Sequence, residues 1–183
     1  MSGQPKGRAD LLVELGTEEL PPSVLKQLGE QFATLLTHAL IDTGLGCEGS
    51  ISWFATARRL AVRVPGVAHR CADQINERRG PALAAAFDDQ DQPTPAAAGF
   101  ARSCGVTVDQ LERLENDKGQ WLIHRALVPG ALARSLIEPC IHSAIEKLPI
   151  PKRMRWGEGL AEFVRPVHWL VVLHGQRVLP CEV

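Results

Sequence analysis

Apolar residues in this chain follow two rhythms, short runs and helical spacing. Residues 11–15 form an apolar run of the length of a buried strand, broken by Gly16 and Thr17. Pro21 and Pro22 lead to Ser23, a good helix N-cap. Val24, Leu25, Leu28, Phe32, Leu35, Leu36, Ala39 and Leu40 then recur every three or four residues until Gly44 supplies a stop. That spacing lays one apolar stripe along a helix. Residues 51–54 and 60–64 are rich in strand formers and are separated by Thr56-Ala57-Arg58, which predicts a hairpin or bent strand pair. Leu60, Val62 and Val64 alternate with Ala61 and Arg63, so Arg63 is expected to face away from the apolar side. The opening therefore reads β-α-β-β, a sheet with a helix across one face.

The pattern weakens between residues 68 and 94, where prolines, glycines and the polar run Asp88-Asp89-Gln90-Asp91 predict a solvated loop. The expected organisation is thus an N-terminal β-α-β-β unit at 1–68, a connecting segment at 69–94, and a second α+β unit at 95–183. Pro95 suits the first turn of a helix reaching about Ser103, with Gly105 beyond its end, and Thr107 with Gln110 forms a capping box for a second short helix. Residues 121–128 read as a strand, and 131–148 as a helix that Pro139 must kink or interrupt. A hairpin of 167–173 and 177–179 closes around His174-Gly175-Gln176. The fold class is α+β, with small mixed sheets packed against helices.

The chain has 183 residues, 45% apolar and 22% charged, which is the composition of a globular protein with a real core. Its net charge of -1 means that any nucleic-acid contact must come from local clustering of cations. Residues 1–10 lack the apolar core of a signal peptide and no stretch approaches the length of a membrane span, so a cytoplasmic location with no membrane partner is expected. The cysteines at 47, 71, 104, 140 and 181 form no Cys-x-x-Cys pair and read as reduced, mostly buried thiols. The six histidines show no metal-ligand spacing.

Cations do cluster. Pro149-Ile150-Pro151-Lys152-Arg153-Met154-Arg155-Trp156-Gly157 is followed by Phe163-Val164-Arg165-Pro166-Val167-His168-Trp169. Lys152, Arg153, Arg155 and Arg165 beside the flat face of Trp156 suit a phosphate-and-base ligand, since phosphates need donors and unstacked bases need a stacking surface. Trp169, inside an apolar run, is expected in the core. The competing reading is a surface loop of solvated arginines. Arg58 and Arg59, with Arg63 following, extend the RNA-contact set along the hairpin, although a charged strand edge that discourages aggregation explains them as well. Adjacent Glu18 and Glu19 point to opposite faces of an extended chain, which disfavours a catalytic carboxylate pair; one of them is expected to complement the next helix or to pair with a hairpin arginine. No catalytic residue, no metal site and no ATP-binding motif is recognisable in the chain.

The same segments carry a resemblance. Pro-x-Pro-Lys-x-Met-Arg-Trp-Gly (149–157) and Phe-Val-Arg-Pro-x-His-Trp (163–169) are similar to the beta subunit of the bacterial heterotetrameric glycyl-tRNA synthetase. So, in order, are Val13-Glu14-Leu15-Gly16-Thr17-Glu18-Glu19-Leu20-Pro21-Pro22, Phe54-Ala55-Thr56-Ala57-Arg58-Arg59-Leu60-Ala61-Val62, Arg79-Gly80-Pro81 and Lys118-Gly119-Gln120-Trp121-Leu122. The resemblance implies an alpha subunit that holds ATP and glycine, a beta subunit that contributes tRNA-Gly recognition, and two of each in the enzyme. No cofactor is then expected in this chain itself. It further implies that a longer beta subunit continues past these residues, so that this is an N-terminal piece. One departure is Ala57, where the family often has proline, which predicts a less rigid turn before Arg58. Two other functions compete: a stand-alone RNA-binding module, which would need no alpha partner, and an enzyme using buried acids or thiols, which would need a pocket with shifted titrations.

Overall fold

The structure is a computed structural model that describes residues 7–117, 119–149, 154–155, 162–163 and 165–182. In chain order the elements are β1 (Arg8–Thr17), α1 (Leu25–Asp42), β2 (Ser52–Thr56), β3 (Arg59–Ala68), β4 (Gln74–Ala82), α2 (Leu83–Ala86) and α3 (Pro95–Cys104), then β5 (Glu112–Asn116), β6 (Gly119–Val128), α4 (Ala133–Glu146), β7 (Met154–Arg155), β8 (Glu162–Phe163), β9 (Val167–His174) and β10 (Arg177–Val178). The fold is α+β, and its sheets are antiparallel.

Residues 1–72 and 130–183 make one unit around a five-stranded sheet of order β10-β9-β1-β3-β2. The sheet's two faces follow from alternation. Leu11, Val13 and Leu15 of β1, Leu60, Val62 and Val64 of β3 and Val172 of β9 turn to one face and are essentially buried. Two helices complete that core, α1 through Leu28, Phe32, Leu36 and Leu40, and α4 through Ile137, Ile141 and Ile145. Helix α4 runs through Pro139 without interruption, where a kink or an interruption was expected.

The other face of the sheet carries Asp10 and Glu14 of β1, Arg59 and Arg63 of β3, and Trp169 and Val171 of β9. Trp169 therefore corrects the expectation of a core residue: it is in the strand but on the outward face, 42% exposed. Its indole lies flat on Gly16, where a Cβ would sit 1.9 Å from the ring. The indole Nε1 donates to Glu14 Oε1 at 3.2 Å. Gly16 is thus required by a close approach.

The division of the chain also differs from the expected one. Strand β9 returns to pair with β1 from Leu11↔His174 to Thr17↔Val167, so both ends of the sequence build one sheet. The second unit is the intervening stretch 73–129, and the supposed connecting segment contains its first strand, β4. That unit has a three-stranded sheet of order β4-β6-β5 and a small core of Ala86, Ala97 and Leu122, flanked by Phe87, Phe100 and Val108. Gly105 ends α3 in the left-handed region at φ 72°, and the Thr107/Gln110 box caps a single 3-10 turn. The stretch holds nine acidic and six basic residues, a balance that does not favour phosphate contact.

The five cysteines are unpaired. Cys71 and Cys140 are buried, and burial pushes both thiols above their ordinary range; Cys47, Cys104 and Cys181 are partly exposed, fewer buried thiols than expected.

Candidate nucleic-acid interface

Three of the motif segments meet at one end of the five-stranded sheet, where β1 ends, β2 turns into β3 and β9 begins. Backbone bonds fasten them. Thr17 N–H donates to Arg58 O at 3.0 Å, Leu20 N–H to Ala57 O at 2.6 Å, and Glu18 N–H to Pro166 O at 2.9 Å. Both carbonyls of the Ala57-Arg58 turn are therefore held by the chain leaving β1, which restrains a turn that lacks the expected proline.

Side chains complete the cluster. Glu18 Oε1 lies 2.7 Å from His168 Nε2, and its Oε2 is 3.4 Å from Arg58 Nη2. The hydrogen bond from His168, with Arg58 and Arg165 nearby, holds the Glu18 carboxyl below the usual carboxylate range. Arg165 Nε donates to Glu19 O at 3.1 Å. Glu18 thus acts through its carboxylate and Glu19 through its main-chain carbonyl.

Along the outward face a charge ladder runs away from this cluster. Arg59 Nε is 3.3 Å from Glu14 Oε1, and Arg63 contacts Asp10 Oδ2 through Nη2 at 2.6 Å and Nε at 3.0 Å. The register explains both pairs: Arg59 is directly opposite Gly16 and Arg63 opposite Leu12, so each carboxylate is the diagonal neighbour two residues away. The Arg63 guanidinium and the Gly66 N–H at 3.3 Å hold the Asp10 carboxyl below its ordinary range. The three hairpin arginines are engaged to different degrees. Arg63 makes two short contacts, while Arg59 and Arg58 make one each, at 3.3 and 3.4 Å, with 53% and 59% of their side chains exposed.

Of the remaining residues expected to contact RNA, Lys152, Arg153 and Trp156 lie outside the described residues. Arg155 is in β7, whose backbone pairs with β8 through Arg155↔Glu162. The partners Asp10, Glu14 and His168 were not anticipated as site residues. Their signal was present in the spacing of acids at 10, 14 and 18 and of arginines at 58, 59 and 63, in and just beyond two strands that pair antiparallel.

The two other motif segments meet within the 73–129 unit. The Arg79 guanidinium lies 3.6 Å from the Trp121 ring centroid, and Gly80 leaves room for Phe100, which a Cβ would approach to 2.4 Å. Arg125 there is gripped by Glu77 at 2.9 Å and Glu112 at 2.8 Å. Among the described residues, no group of three or more His, Cys, Asp or Glu is placed to hold a metal ion, and no helix is long and apolar enough to cross a membrane.

A family model described as "Glycyl-tRNA synthetase beta subunit" matches residues 11–183. The chain is 55% identical over 168 residues to the glycine–tRNA ligase beta subunit of Alteromonas mediterranea, covering 92% of this chain and 24% of the relative. It is 50% identical over 174 residues to that of Hahella chejuensis, covering 95% and 25%. Against that of Klebsiella pneumoniae it is 51% identical over 172 residues, covering 94% and 25%. The chain spans about a quarter of the length of these curated relatives.

Proposed function

Because the chain belongs to the glycyl-tRNA synthetase beta-subunit family, we propose that it is a tRNA-binding part of glycine–tRNA ligase. In this reading the whole enzyme attaches glycine to tRNA-Gly at the expense of ATP in the cytoplasm. An alpha subunit carries the ATP and glycine site, in an assembly of two alpha and two beta subunits. This chain holds RNA and supplies no catalytic group or cofactor of its own.

The observation that carries the reading is the convergence of three motif segments at one end of the sheet, with Arg58 and Arg165 at the surface there. A guanidinium has five N–H donors in a planar fork. Arg58 spends one on a long contact to Glu18, and Arg165 Nε is used by Glu19 O. Each keeps donors for a phosphate oxygen. Arg59 and Arg63, on the outward face of the sheet, pair with Glu14 and Asp10. Lys152, Arg153 and Arg155 add cations from the adjoining motif, and Trp156 offers a stacking face.

The test is titration of tRNA-Gly into the chain and into a Lys152→Ala/Arg153→Ala/Arg155→Ala variant over a series of salt concentrations. Each lost phosphate contact should flatten the slope of log affinity against log salt by about 0.7 to 0.9. An unchanged affinity and slope would remove this segment from the RNA surface. A pull-down with a glycyl-tRNA synthetase alpha subunit tests the assembly: capture is expected, and its failure would leave an RNA-binding module without a synthetase partner.

A further inference from the structure

In a chain with 20 lysines and arginines against 21 carboxylate residues, most described cations have a partner. The lysines and arginines without a hydrogen bond, ion pair or ring contact, among the described residues, are Arg102, Arg134, Lys147 and Arg177. Two of these four line one cavity. It occupies about 970 Å³ at the opposite end of the five-stranded sheet from the motif cluster, between the first turn of α4 and the β9–β10 hairpin. Arg134 and Arg177 are both exposed there, and Leu132, Val178 and Leu179 supply apolar walls.

Histidines form another part of the lining. His69, exposed, packs against His174 with ring centroids 4.5 Å apart and planes tilted by 51°. His174 is 5% exposed, and its Nε2 lies 3.0 Å from Val67 O, which fixes the ring. Burial, with His69 beside it, keeps the His174 imidazole below its ordinary range. The cavity thus presents two uncompensated guanidinium groups and an imidazole beside apolar surface. Like charges lining one concavity repel, and an anion relieves that repulsion. Guanidinium forks match phosphate oxygens, while the apolar walls suit a sugar or base edge.

We propose that this cavity binds a phosphodiester segment of tRNA, with Arg134 and Arg177 donating to phosphate oxygens, as a second contact remote from the motif end of the sheet. The proposal rests on the tRNA-binding reading and assigns it a place that no motif marks.

The test uses the full 183-residue chain and a tRNA-Gly transcript, with an Arg134→Gln/Arg177→Gln variant, an Arg134→Lys/Arg177→Lys variant and, as control, Lys147→Gln. Both arginines are exposed, so the glutamine variant should keep the wild-type denaturation midpoint. Its slope of log affinity against log salt should be flatter by about 1.4 to 1.8, the loss of two phosphate contacts. The lysine variant and the Lys147 control should retain the wild-type slope. If wild type binds tRNA and the glutamine variant binds equally well with the same slope, the cavity is not an RNA site and the tRNA-binding reading survives. If wild type does not bind tRNA, both fall. A glutamine variant that loses the alpha subunit but keeps tRNA would make the cavity a protein contact and overturn the inference.

Discussion

The two ends of the five-stranded sheet solve the placement of arginine in opposite ways. At the motif end each described arginine has a specific acceptor: Arg58 at Glu18, Arg59 at Glu14, Arg165 at the Glu19 carbonyl. At the other end Arg134 and Arg177 line a cavity with no partner among the described residues. The motif end gathers the segments with the clearest family signature, yet much of that signature is spent on joining β1, β3 and β9. A motif can therefore mark where a chain is fastened as much as where it touches a ligand. The cavity end has no such signature, and Arg134 and Arg177 there are left with all their donors for an anion.

The comparison can be broken most strongly at His174. Its ring is buried and held against Val67 O, so His174→Ala should cost about 2–4 kcal/mol through the lost packing and the stranded carbonyl. A denaturant midpoint unchanged from wild type would show that the cavity has no fixed floor. At the motif end the largest effect is expected from Trp169→Ala. A fully buried aromatic costs about 3–5 kcal/mol on truncation. Trp169 is 42% exposed, and about 1–3 kcal/mol is expected from the area it covers. A loss as large as that of a core aromatic would put the ring back inside.

Smaller again is the ladder. Arg59→Gln removes an exposed ion pair and should cost about 0.2–1 kcal/mol; a double-mutant cycle with Glu14→Gln measures the coupling. A coupling indistinguishable from zero would reduce the ladder to coincident geometry.

The finest distinction is in pH. His174 has a folded-state pKa below the ordinary imidazole value of 6.5, so the unfolded chain binds more protons as pH falls below that value. Its contribution is destabilising on acidification, starting near pH 6.5 and levelling off below the folded value. Glu18 behaves differently. Its depressed pKa contributes stability above the ordinary carboxylate value of 4.5, and that contribution is lost as pH falls through the lower folded value. Denaturant midpoints across both windows should show His174→Gln flattening the upper limb and Glu18→Gln the lower one. If neither variant changes its own limb, the assignment of the two windows is wrong.

Much of the first unit was legible because its apolar periodicity was strong. The alternation in β3 placed Arg63 outward, and the stripe from Leu28 to Leu40 gave α1. Strand β4 was invisible for a physical reason: Gln74 to Arg79 is an exposed run, polar but for Ile75, with no alternation, and what makes it a strand is pairing with β6 and the cross-strand Glu77–Arg125 contact. The apolar run of β9 announced a strand but not which face would be covered, so Trp169 was misplaced. The boundary was missed because the pairing of β9 with β1 spans about 150 residues and leaves no local trace. The arginines of the site were legible as cations. Their carboxylate partners required the register of β1 on β3, and the cavity required Ala9 of β1, His69 just after β3, the start of α4 and the closing hairpin to meet.

The central claim is that the paired arginines of the ladder build the sheet while phosphate contact comes from cations outside it. Its most direct test is the salt dependence of tRNA-Gly affinity for the wild-type chain and for Arg59→Gln/Arg63→Gln. The account predicts that wild type binds with a slope of log affinity against log salt of about -2 or steeper, as three or more phosphate contacts require, and that the ladder variant keeps that slope. Absence of binding by wild type, or a slope that collapses in the ladder variant, would contradict it.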